Sequence, residues 1–145
     1  MSKVNIEMSK EQYETLVKMV FLGTWMVNST KIELDEAFED VRELVLSKYK
    51  AAGLEDKVVY EEQMGVYDLD INFETSLLDS YVDEYDEFSF WDKLIEKLAE
   101  KELTALYGPL EENLTEEQLE KRLELEEKIG RKLEETGITQ LSFDE

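Results

Sequence analysis

Apolar residues recur at helical spacing over most of the chain. Beyond Leu16, in the run LVKMVFLGTWMV, they occupy nearly every direction around a helix axis. A helix apolar all round is covered by neighbours on most sides, so the stretch from about Lys10 to Val27 predicts a central helix. Gly23 in its interior costs about 1 kcal/mol against Ala, a cost offset if another helix approaches closely, and Trp25 and Met26 are expected to fill core space. A second helix, about Glu33 to Ala51, sets Leu34, Phe38, Val41, Val45 and Tyr49 on an inward face and Glu36, Glu39, Asp40, Glu43 and Lys50 on a wet one. Gly53 supplies its stop.

From Lys57 to Phe73 the helical period is lost. KVVY and, after Gly65, VYDLDINF alternate in the manner of strands, predicting a hairpin or irregular β excursion. Val4, Ile6 and Met8 alternate likewise near the start, and ITQLSF is extended near the end, so these termini are expected to pair with each other or with the hairpin. The stretch SYVDEYDEFSFWDK then mixes acids and aromatics. Turning 100° per residue from Leu77 gathers Leu77, Leu78, Tyr81, Val82, Tyr85 and Phe88 on one side, and Asp79, Asp83, Glu84, Asp86 and Glu87 on the other. That predicts a short helix with its rings in the core, joined there by Phe90 and Trp91, and its carboxylates in solvent.

A fourth helix, about Phe90 to Tyr107, turns Leu94, Ile95, Leu98 and Ala105 inward and is broken at Gly108 and Pro109. A fifth, about Glu116 to Glu135, carries Leu119, Leu123, Ile129 and Leu133 on a narrow seam. It can pack as an outrigger or join a second subunit, and Glu117 with Lys121, Glu124 with Lys128 and Glu127 with Arg131 are placed to support it as ion pairs. Helix starts are marked by Ser or Thr followed three residues later by an acid or Gln, as at Ser9/Gln12, Thr30/Glu33, Ser76/Asp79, Ser89/Asp92 and Thr115/Gln118.

Length and composition fit this reading. A chain of 145 residues suits one domain with one core, here a mainly α, single-domain helical bundle of about five helices spanning residues 1–145, with a small β component. The longest apolar run is twelve residues with Lys18 inside it, short of the ~17–25 that span a bilayer. The residues before it lack the basic start of a signal peptide. A cytoplasmic protein is expected.

Charge narrows the function. Against 37 acids stand 16 bases, a formal net charge of −21. Nucleic acid and anionic membrane carry the same sign and are repelled, whereas basic proteins and cations are attracted. Cysteine and histidine are both absent, which removes disulfides, thiolate nucleophiles, Cys- or His-bearing zinc sites, His-held haem and Ser-His-Asp triads. No cofactor is expected.

One stretch stands apart. Val58 to Asp92 contains eleven acids and no Lys or Arg, more than half of the net charge in under a quarter of the length. A solvated face normally intersperses signs, since like charges at i,i+3 or i,i+4 destabilise a helix. The expected function is therefore non-catalytic: an anionic helix face, Asp79, Asp83, Glu84, Asp86 and Glu87, docks a basic partner, including as a nucleic-acid mimic or inhibitor. A homo-oligomer through the C-terminal helix is a further expectation.

Two alternatives come from other classes. A divalent-cation module would use carboxylate oxygens. DLDINFETSLLD brushes an EF-hand loop through Asp68, Asp70, Asn72 and Asp79, but Phe73 stands where that loop needs Gly and Asp79 replaces its bidentate Glu. A carboxylate enzyme would need a concave pocket holding two acids kept partly protonated.

Overall fold

The computed structural model describes residues 2–144. In order come α1 (Lys10–Asn28), α2 (Glu36–Leu46), a 3-10 turn (Tyr49–Ala52), β1 (Val58–Glu61), β2 (Val66–Leu69), α3 (Ile71–Leu77), a π-turn (Leu78–Val82), α4 (Asp83–Tyr107) and α5 (Glu116–Thr136). The chain is mainly helical with a small antiparallel hairpin. None of the helices is long and apolar enough to cross a membrane among the described residues. Two compact units are distinguished, one ending at Glu84 and the other beginning at Tyr85. Each has its own cluster of buried side chains, where chain length suggested one core.

In the first unit, α1 starts with a reciprocal cap: Ser9 accepts from the Gln12 N–H while the Gln12 side chain accepts from the Ser9 N–H. One face of α1, Tyr13, Val17 and Phe21, packs with Leu46, Leu54, Val58, Leu69 and Leu77. The Tyr13 hydroxyl donates to the Val45 carbonyl at 2.5 Å, tying α1 to the end of α2. Burial on one face only corrects the central-helix expectation. Met19, Gly23 and Met26 are exposed, and Trp25 is half-buried against the cluster.

α2 begins later than expected. Asp35, rather than Thr30, caps it by accepting from the Ala37 and Phe38 N–H groups. Its buried residue is Leu46, and of the inward face foreseen Val45 and Tyr49 do pack against the cluster, whereas Leu34 just ahead of the helix and Phe38 and Val41 within it are exposed. Gly53, at φ 70°, ends the following turn in the left-handed conformation that suits glycine.

The hairpin pairs Val58 with Leu69 and Glu61 with Val66. Asp70 then accepts from the Asn72 and Phe73 N–H groups and starts α3, which places Ile71 and Phe73 on a helix rather than on the strand. Among the described residues the sheet has these two strands. The expected terminal pairing is corrected: Val4 and Ile6 are exposed, and neither Val4–Met8 nor Ile138–Phe143 is a strand.

In the second unit, Ala99 and Leu103 of α4 pack with Leu125, Ile129 and Leu133 of α5, and Trp91, Leu94, Ile95 and Leu98 lie against this cluster. A Cβ at Gly130 would stand 3.5 Å from Ile95 Cδ1, ordinary contact at a helix crossing. Ala105, expected inward, is exposed, and of the α5 seam Leu119 and Leu123 are exposed as well. Thr115 and Gln118 form the second reciprocal cap. Ser76 and Ser89 lie inside helices and start none. Of the three anticipated ion pairs Glu127–Arg131 forms, whereas Lys121 turns to Glu124 at 3.4 Å and Arg122 joins Glu126 at 3.0 Å.

Candidate functional site

The acidic helix foreseen from the sequence exists, but its faces are not the ones foreseen. α3, the π-turn and α4 follow one another without a break. At the π-turn the Asp83 N–H donates to the Leu78 carbonyl, five residues back. One extra residue in a turn shifts the helical phase of the residues next along the helix by about 100° relative to an uninterrupted α-helix. Leu77 is buried, but Tyr81, Tyr85 and Phe88 are 52%, 57% and 68% exposed, and Phe90 is also exposed. The assignment of these rings to the core is overturned. Trp91 alone among the aromatics of this stretch lies half-buried against a core cluster.

Asp79 sits in the π-turn, Asp83 and Glu84 open α4, and Asp86 and Glu87 follow after the boundary between the units. All five are exposed. No ion pair to Lys or Arg engages any of them among the described residues. Glu87 has one fixed partner, accepting from Trp91 Nε1 at 2.8 Å one turn on. The indole is fixed in turn by Phe90, edge-on at 5.0 Å between ring centroids. The stretch therefore carries uncompensated carboxylates beside bare rings.

Two other acids of the base-free segment have structural roles. Asp68 accepts from Arg42 Nη2 at 2.9 Å and Asp70 caps α3. That places the residues of the EF-hand-like run in separate structural roles, and no group of three or more potential ligands suited to a metal is found among the described residues. Arg42 is nearly buried. It also donates to Glu43 at 3.1 Å and to the Tyr67 carbonyl at 2.7 Å, joining α2 to β2.

That cluster borders a cleft of about 420 Å³ lined by Trp25, Asn28, Glu39, Arg42, Glu43 and Asp68 among others, which sequence periodicity did not reveal. Each of its acids is engaged: Glu39 accepts from Asn28 Nδ2 at 2.9 Å, Glu43 from the Tyr67 N–H at 3.0 Å, and Asp68 from Arg42. Two carboxyls elsewhere are held below their ordinary range, Glu14 chiefly by a hydrogen bond from Lys57 and Asp35 chiefly by one from the Phe38 N–H.

No protein-family model, curated protein or solved structure matches the chain.

Proposed function

We propose that this chain is a non-catalytic, cytoplasmic protein-interaction module whose acidic helical stretch, Asp79, Asp83, Glu84, Asp86 and Glu87, docks a basic protein partner. The observation that carries the reading is the exposure of all five carboxylates without a cationic neighbour to pair with them. Like charges kept this close on one helix cost stability, and a positively charged partner removes that cost when it binds. Such complementarity raises association rate more than affinity.

The exposed rings change the character of the proposed contact. Tyr81, Tyr85 and Phe88 add apolar area of the kind that supplies binding energy at interfaces, so the partner surface carries apolar residues among its lysines and arginines. Carboxylates spaced along a helix also present the charge of nucleic-acid phosphates, and a nucleic-acid-binding protein is the basic partner of first choice. A second contact is proposed on α5, where exposed Leu119 and Leu123 would join two copies of the chain.

The test is capture of basic proteins from cell extract by the full chain. Reversal of charge in the Asp79→Lys, Asp83→Lys, Asp86→Lys variant is expected to leave the helical circular dichroism intact and abolish a capture that weakens with salt. Capture that survives the reversal, or that never occurs, rejects the proposal.

A further inference from the structure

α1 and α2 leave an apolar groove between them, about 490 Å³ in volume, floored by Leu16, Met19, Val20 and Gly23 of α1 and walled by Phe38 and Val41 of α2. Three observations make it more than scattered surface hydrophobics. The apolar stripe of α2 normally drives a helix onto its neighbours, yet Phe38 and Val41 remain exposed. Gly23 sits inside a 19-residue helix, and a Cβ there would meet no atom of this chain within 4 Å. Its helical cost therefore has no return inside the molecule. Finally, Met19, a flexible side chain of the kind that adapts to an incoming surface, lies 65% exposed at the same floor.

We propose that this groove binds a cationic amphipathic helix of a partner protein. Two helices side by side leave a channel that a third fills at an interaxial distance of about 8–10 Å, and the missing side chain at Gly23 admits the incoming backbone. The occupant's charge follows from the rim. From Met19 to Thr30 α1 and its end carry no charge at all, so the floor offers nothing but apolar contact along that length. Glu36 and Asp40, one turn apart on α2 and both exposed, adjoin in sequence the lining residues Ala37 and Val41. Of the bases nearest in sequence, Lys18 stands beside Met19 on α1, Arg42 beside Val41 is held by Glu43 and Asp68, and Lys31 is taken by Asp35 at 3.4 Å.

A second copy of this chain is disfavoured by the same rim. Two-fold pairing sets a patch against itself, which would bring Glu36 and Asp40 of one copy towards those of the other in a pair already carrying −21 each. Like-charge juxtaposition of that kind opposes association. Lysines and arginines flanking an apolar helix face meet the rim instead.

The full chain labelled with 13C at its methionine methyls is titrated with a synthetic amphipathic helix bearing leucines on one face and lysines on the other. The expected result is a saturable shift of the Met19 methyl. Gly23→Leu, whose Cβ meets no atom within 4 Å, is expected to fill the floor and weaken binding by about tenfold with no fall in melting temperature. The Glu36→Lys, Asp40→Lys variant weakens it by about fivefold, as does exchange of the peptide's lysines for glutamates. Reversal at Asp79, Asp83 and Asp86 leaves the Met19 titration unchanged, which separates this groove from the acidic stretch. A Met19 methyl that never moves, a peptide that binds Gly23→Leu equally well, or sedimentation showing the free chain as a dimer with Met19 already shielded overturns the proposal.

Discussion

At the scale of single residues, the sharpest distinction lies between Leu77 and the rings that follow it. Leu77 is 3% exposed in the first cluster, so Leu77→Ala is expected to cost about 2–5 kcal/mol. Tyr85→Ala and Phe88→Ala, at exposed rings, are expected to change stability by no more than about 0.5 kcal/mol. Urea denaturation of the three variants reads this directly, and a large loss at Tyr85 would return that ring to the core. The wheel that put these side chains together assumed an unbroken α-helix. Nothing in the residue types of Leu78 to Val82 announces the extra residue in the turn, whereas the neighbouring acids were placed correctly because exposure suits them on any face.

The Glu14–Lys57 pair gives a second residue-scale prediction. Their contact lowers the Glu14 carboxyl and raises the Lys57 ammonium, the shared hydrogen bond being the largest cause of both. A lowered carboxyl contributes stability above its unfolded value, about 4.3, and loses it as pH falls through the lower folded one. A raised ammonium contributes below its unfolded value, about 10.4, and loses it as pH rises through the higher folded one. Both side chains are partly exposed, so the contribution is at most about 1 kcal/mol and shrinks with salt. Melting of Glu14→Gln against the parent chain is expected to show a deficit near neutral pH that closes in strong acid and strong alkali.

Among elements, the two reciprocal caps at Ser9/Gln12 and Thr115/Gln118 were legible as Ser or Thr followed three residues later by Gln, a pair that satisfies backbone donors that water would otherwise have to serve. The same letters at Ser89/Asp92 occur by coincidence of composition within α4. Thr115→Ala is accordingly expected to destabilise the chain by about 1 kcal/mol, and Ser89→Ala to have little effect, as compared by thermal melting. α2 shows the complementary failure. Its periodicity correctly marks an amphipathic helix, but periodicity cannot say whether the apolar stripe is covered by the same chain. Strand alternation likewise marked β2, and was cut short at Asp70, whose carboxylate offers the backbone a helix start instead.

On the scale of the whole molecule, two small clusters replace the single core that chain length favours, because buried side chains gather at Leu46 and Val58 in one unit and around Leu103 in the other. Absence of Cys and His narrows the available chemistry without reference to any fold, and the −21 charge bears on partners in the same way. What neither property could locate was the α1–α2 groove, which depends on how two consecutive helices pack, or the Arg42-centred cleft, which joins α2 to β2 across about 25 residues of chain.

The most direct measurement of the proposed docking is backbone hydrogen exchange of the full chain, alone and with its captured basic partner. Slower exchange from Asp79 through Phe88, lost again as salt is raised, is the predicted result. Unchanged exchange across that stretch, with the partner demonstrably bound, would contradict the account.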